Sequence, residues 1–331
     1  MDLSTTYLGL PLAHPLMVGA SPLVDDLDVV RRLEDAGASA IVMRSLFEEQ
    51  VRGEQLAALR HLDGPGESFA EALSYFPAAA SFGMSTDAYL DRLRRIREAV
   101  RIPVIGSLNG STPGGWLEYA RFIEQAGAHA LELNLYTIPT DPLEDAAAVE
   151  ARAVDVVREV KKAIRIPVAV KLSPFYSSLA SFVRRLEEAG ADGVVLFNRF
   201  YQPDIDPDTL DVVRDLHLSD SSELPLRLRF LAILFGHVGL SLAATGGVHS
   251  SRDALKAIMA GASGVQMVSA LLKRGPAHLG TVVAEVSRWL EENEYASLHQ
   301  AIGSMSLLRC PDPTAYERAN YVQILQSWHG N

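Results

Sequence analysis

The feature that most constrains this chain is a repeated junction. The tripeptide Ala-Gly-Ala recurs four times, centred on Gly37, Gly127, Gly190 and Gly261. Each copy follows a charged amphipathic run, such as Val29 to Asp35 or Phe182 to Glu188, and precedes a short apolar one. A glycine one step beyond a helix takes the left-handed conformation that ends it without strain. The apolar runs, Ala40 to Met43, Ala130 to Leu133, Gly193 to Leu196 and Gly264 to Val268, suit strands buried on both faces, as parallel strands are. A second junction, Arg-Ile-Pro-Val, occurs at 101–104 and 165–168, where proline stops a helix and the next residues enter a strand.

Leu16 to Ala20 and Leu240 to Ala244 bring the candidate strands to eight, with helical segments centred near residues 30, 92, 120, 155, 183, 230, 255 and 285. Eight alternating units imply an α/β fold of the (β/α)8 TIM-barrel class. The alternative, an open Rossmann-like sheet, predicts a glycine fingerprint after the first strand, and Gly19 to Pro22 does not supply one. Two segments exceed the minimal barrel. Residues 46–85 form a long, lid-like insertion after strand 2, and residues 305–331 form a C-terminal extension with a helical pattern from Pro313 to Trp328. The expected division is a barrel over 1–304 and that extension. The tail either covers the barrel or pairs with a neighbouring subunit, giving a homodimer; the sequence leaves both open.

A formal charge of −11 over 331 residues disfavours nucleic acid or an anionic membrane as partner, since either requires a basic face. The apolar stretch Phe230 to Ala244 is too short and too interrupted to span a bilayer. One cysteine, Cys310, and no recognisable secretory signal make a reducing cytoplasm the expected setting. The nine histidines show no metal-ligand spacing, so no metal site is expected, and four cysteines for an iron–sulfur cluster are lacking.

Active sites of such barrels lie where strands end. Thr245-Gly246-Gly247-Val248 after strand 7 and Ser269-Ala270 after strand 8 occupy the usual phosphate position, although two glycines alone could be turn residues. Lys171 closes strand 5, where a lysine needs an anionic partner; a surface salt bridge is the alternative. Asn134 and Asn198 end strands 4 and 6 and can both donate and accept. Arg44, Ser107 and Asn109 complete a polar ring.

These residues resemble those of the dihydroorotate dehydrogenase family, from the opening strand to about residue 304. His14 to Ser21, Glu132-Leu133-Asn134-Leu135, Val170-Lys171-Leu172-Ser173-Pro174, and Thr245 to Val248 with Asp253, Gly261-Ala262 and Ser269-Ala270-Leu271 carry the resemblance. It implies an FMN cofactor, a small-molecule substrate and oxidation of dihydroorotate to orotate in pyrimidine biosynthesis, with a hydride passed from a ring C–H to the flavin. By the resemblance, Ala20, Ser21, Arg44, Asn109, Asn134, Lys171, Asn198, Gly246, Gly247, Ser269 and Ala270 hold FMN, with Arg44 standing where the family has a lysine. Thr137 and Lys171 are the catalytic candidates. Thr137 falls where the family has a cysteine or serine base. Ala72 to Pro77 lacks the family's ring-gripping asparagine, and Ser222 to Pro225 lacks its glycine-rich turn. The implied picture is a kept flavin site with an altered substrate site. Its alternative is a catalytically impaired FMN-binding homologue acting as a binding or assembly module. A weaker third reading is an aldolase-like barrel using Lys171 for a Schiff base.

Overall fold

The computed structural model describes residues 1–48, 85–110, 113–199, 202–318 and 320–327. Eight strands, β1 Leu16–Val18, β2 Ile41–Val42, β3 Val104–Asn109, β4 Ala130–Asn134, β5 Val168–Leu172, β6 Gly193–Leu196, β7 Ser241–Thr245 and β8 Gly264–Met267, run parallel. Pairing of β8 with β1, in the register Val265↔Leu16, closes the ring. Closure settles the choice against an open sheet. Among the described residues eight helices return the chain: α1 Leu27–Asp35, α2 Thr86–Ala99, α3 Pro113–Gln125, α4 Ala146–Ala163, α5 Leu179–Glu188, α6 Leu224–Leu234, α7 Ser251–Ala260 and α8 Ala277–Glu292.

The repeated tripeptide has one structural meaning. In all four copies the glycine has positive φ, from 89° at Gly37 to 124° at Gly261. In all four its N–H bonds three residues back, while the next alanine's N–H bonds five back, as in Gly37→Glu34 and Ala38→Leu33. This is the Schellman helix stop. The other junction locks onto it. Glu34 Oε1 accepts from the N–H groups of Arg101 and Ile102, and Glu124 Oε1 accepts from those of Arg165 and Ile166. Each Arg-Ile-Pro-Val junction is thus tied to the helix end of the preceding unit.

The barrel interior is filled from below. A hairpin, Thr5–Tyr7 paired with Leu10–Leu12, turns through Leu8 and Gly9, both at positive φ. Tyr7, Leu8 and Leu12 pack among Met17, Ala40, Val42, Ile105, Ala130, Ala169, Val195 and Ala243. The alanines leave the room that these side chains occupy. A larger apolar layer, including Leu33, Leu93, Ile123, Val157 and Phe182, fills the space between strands and helices.

Two excursions differ from a simple barrel. Leu46–Phe47 continues beside β3, with Leu46 opposite Leu108, whereas Val42 lies opposite Ile105. Four steps on one strand against three on the other make a one-residue bulge around Met43 to Ser45. The rest of the 46–85 insertion, including Ala72 to Pro77, lies outside the described residues apart from Glu48 and the helix cap Ser85. The helical pattern of the tail, Pro313 to Trp328, is realised in two pieces among the described residues. They are a 3₁₀ turn, Pro313–Tyr316, and a separate short helix, Asn320–Gln326; Trp328 lies outside the described residues. Glu317 has extended backbone, φ −96° and ψ 177°, which breaks the helical path. Tyr316 packs against the core, whereas Tyr321, Val322, Ile324 and Leu325 are exposed, so among the described residues no core contact draws the second piece into one helix with the first. Among the described residues no helix is long and apolar enough to cross a membrane.

Candidate active site

Polar side chains gather where the parallel strands end. Lys171 is 7% exposed, and its Nζ lies 3.2 Å from Oε1 of Glu132, itself 1% exposed. The anionic partner demanded by a buried lysine is therefore internal, not a surface bridge. Glu132 Oε2 accepts from Gln266 Nε2 at 2.6 Å across the barrel, while Gln266 Oε1 has no hydrogen-bond partner among the described residues. Sequence reasoning had assigned no role to Glu132 or Gln266.

Asn134 stands opposite Lys171 in the β4–β5 ladder. Its Nδ2 donates to Ser45 Oγ at 2.9 Å and Ser107 Oγ at 3.0 Å, and those two hydroxyls lie 2.8 Å apart. Ser45 enters through the bulge in the second strand, a feature with no signature in the sequence. Tyr89 Oη donates to the Ser107 carbonyl at 3.0 Å, and burial pushes its phenol well above the usual range. It stays neutral.

Around this cluster lie Ala20, Ser21, Asn109, Asn198 and Arg44. Ser21 is buried and its Oγ has no partner among the described residues, with half-buried Ala20 before it. Asn109 and Asn198 are half-buried at the ends of β3 and β6, and Asn198 N donates to Leu172 O at 2.7 Å. Arg44 instead pairs with Asp25 Oδ2 at 3.0 Å, beside the turn after β1.

The glycine pair after β7 has φ of +82° and +81°. A Cβ on Gly247 would lie 2.6 Å from Leu224 N, and one on Gly246 would lie 2.8 Å from Arg227 Nη2, so packing against α6 alone requires both glycines. Arg227 is buried and donates to Thr245 O at 2.9 Å and Glu223 O at 2.6 Å. Ser219, from the loop before α6, draws the two halves together. Its N donates to Ser269 Oγ at 3.1 Å, and its Oγ faces His249 Nε2 at 3.3 Å. Ala270 is buried behind Ser269, in the short helix Ser269–Arg274.

Asp253 braces this corner. Its Oδ2 accepts from Ser221 Oγ at 2.7 Å, Ser250 Oγ at 2.9 Å, and the N–H groups of His249 and Ser250, both at 3.1 Å. Burial pushes the carboxyl up, but hydrogen bonds from Ser221, His249 and Ser250 outweigh it and hold the group below its ordinary value. A depressed carboxyl stabilises the fold above its unfolded pKa, near 3.9, and that contribution is lost as pH falls through the folded value. Urea midpoints measured from about pH 5 down to pH 3 are expected to fall, less steeply in Asp253→Asn. At neutral pH that variant is expected to be about 1–2 kcal/mol less stable.

Thr137 is exposed on the β4–α4 loop. It lines a cavity of about 500 Å³ with Asn109, Trp116, Tyr136 and Tyr176, and a second of about 330 Å³ with Ser173 and Phe175. Asn109 links the first cavity to the barrel mouth.

The mouth thus offers a buried cation, an unpartnered buried hydroxyl and several amides, donors and acceptors suited to a planar polar ring that gains negative charge. Comparison with known proteins points the same way. The family model described as Dihydroorotate dehydrogenase matches residues 79–290. The catalytic subunit of dihydroorotate dehydrogenase B (NAD(+)) from Thermoplasma volcanium is 28% identical over 315 residues, covering 91% of this chain and 98% of that protein. Its namesake from Methanosarcina acetivorans is 27% identical over 300 residues, covering 89% and 93%. With the closed barrel and that match over most of its length, the chain belongs to the dihydroorotate dehydrogenase family.

Proposed function

We propose that this oxidoreductase uses FMN and acts on a CH–CH bond of a small cyclic substrate, with dihydroorotate as the first compound to test. The carrying observation is the Lys171 ammonium buried at the strand ends beside Asn134. Bound FMN supplies a two-electron acceptor that takes a hydride at N5. Lys171 would face its N1–O2 edge, where negative charge develops on reduction, and would stabilise that charge in a site shielded from water. Asn134 and Asn198 would meet the ring's polar edge, with Asn109 beside them. Ala20 and Ser21 would lie against the ring, where the buried Ser21 hydroxyl would find the partner it lacks among the described residues. Gly246, Gly247, Ser269 and Ala270 would hold the phosphate, and Arg44, steadied by Asp25, would add positive charge at the rim. On this reading the barrel of residues 1–304 is the flavin domain, 305–331 an appendage, and the cytoplasm the working compartment.

Thr137 would handle the substrate proton. A threonine hydroxyl is a poor base near neutral pH without an activating neighbour. Among the described residues no side chain hydrogen-bonds to it, and it is exposed. That observation favours a second reading, in which the barrel binds FMN without turning over dihydroorotate and serves as a binding or assembly module.

An absorption spectrum of the purified protein, followed by anaerobic addition of dihydroorotate, separates the readings. Flavin absorbance that bleaches supports dihydroorotate oxidation. Flavin absorbance that persists supports the second reading. A colourless protein that cannot be reconstituted with FMN refutes both.

A further inference from the structure

We propose that Glu132 is a positioning residue: it draws the Lys171 ammonium back into the barrel and sets how much positive charge reaches the flavin, and so how readily the flavin is reduced. This rests on the FMN reading above. Glu132 and Asn134 lie two residues apart on β4 and share its inner face. The ladder places Lys171 opposite Asn134, yet its ammonium bonds to Glu132, one step deeper in the barrel. Gln266, from the far side, fixes the other carboxylate oxygen. Three residues from β4, β5 and β8 therefore form one line across the interior.

That line is not needed as filling. The layer beneath it is apolar, with Met17, Val42, Ile105 and Val195 packed around Tyr7. An apolar replacement of a buried ion pair is commonly as stable as the pair itself. Tyr7 below offers no compensating charge: burial, with the nearby Glu132 carboxylate adding to it, pushes its phenol well up, so it stays neutral. A carboxylate 3.2 Å from the ammonium, in surroundings that screen weakly, cancels much of the ammonium's field at the barrel mouth.

The test is the midpoint potential of FMN bound to the holoprotein, measured against reference dyes. Glu132→Gln removes the negative charge; its amide oxygen still accepts from Lys171, and its amide N–H can donate to Gln266 Oε1 once the Gln266 side chain flips. It is expected to retain flavin and to shift the reduction equilibrium toward the reduced form by about tenfold or more, about 30 mV for a two-electron couple. Glu132→Asp, which keeps the charge, is expected to stay within about threefold of the parent, under about 15 mV. Gln266→Met removes the donor that holds Oε2, lets the carboxylate swing away from Lys171, and is expected to shift the equilibrium in the same sense by a smaller factor. The inference is overturned if flavin is retained and neither Glu132→Gln nor Gln266→Met moves the equilibrium. If Glu132→Gln does not fold, Gln266→Met decides by the same criterion. A parent protein without flavin refutes the FMN reading itself, and with it this one.

Discussion

Replacing Lys171 with methionine is expected to lower the free energy of unfolding by about 3–5 kcal/mol, because it strands a buried carboxylate. Glu132 is 1% exposed, and among the described residues its side chain accepts from Lys171 and Gln266. With the ammonium gone, Oε1 faces an apolar side chain in a closed interior, and the Gln266 amide alone cannot balance a full charge. Methionine matches the lysine stem in length, so little cavity is added and the loss is chiefly electrostatic. Equilibrium urea denaturation of the apoprotein measures it. A loss under about 1 kcal/mol would mean that the pair is effectively solvated, contrary to its burial.

The double variant Lys171→Met with Glu132→Gln separates stability from function. An amide at 132 still accepts from Gln266 but carries no charge, so most of the lost stability is expected to return. Flavin affinity is expected to stay low, since the cation remains absent. Restored stability with restored FMN binding would remove Lys171 from the cofactor site and leave it a structural role.

The barrel was legible because its signals are local. A helix stop of the Schellman type needs only the residues around it, and Ala-Gly-Ala met that requirement four times with the same hydrogen bonds. Short apolar runs located all eight strands, with ends displaced by a residue or two; β1 ends at Val18, although Gly19 N still reaches Met267 O. In the tail the helical pattern is realised only in pieces: Tyr316 packs against the core, but the helix Asn320–Gln326 buries no residue among the described ones, so its pattern has no core to align with. At the site, Lys171 and Asn134 were visible as polar residues in buried strands. Their partners were not. Glu132 becomes the counter-ion through the β4–β5 register, Gln266 reaches it from 134 residues away, and Ser45 depends on a bulge. Ser219 meets Ser269 only because the loop before α6 folds back over β7 and β8. Such meetings arise from register and closure, which one strand's sequence does not encode.

Gly247→Ala is expected to cost about 2–5 kcal/mol, combining a left-handed penalty of about 1–2 kcal/mol with an overpacking term of about 1–3 kcal/mol. Its φ of +81° disfavours any side chain, and its Cβ would lie 2.6 Å from Leu224 N and 2.9 Å from Leu224 Cα. These are backbone atoms of a buried residue at the start of α6, next to Pro225, so they cannot rotate away. Gly37→Ala isolates the first term: its φ is +89° and nothing lies within 4 Å of the added carbon, so about 1–2 kcal/mol is expected. Gly246→Ala falls between, since the obstacle is the Arg227 guanidinium, a side chain held by Thr245 and Glu223. Urea midpoints of the three variants give the order, and equal losses would show that α6 yields without resistance. FMN affinity then adds the functional axis. Gly37 precedes β2 at the opposite end of the barrel and is expected to leave affinity unchanged. Gly247→Ala pushes α6 and the Ser219 loop away from Ser269, and is expected to weaken FMN binding by about tenfold or more, as the loss of one charge-assisted phosphate contact would.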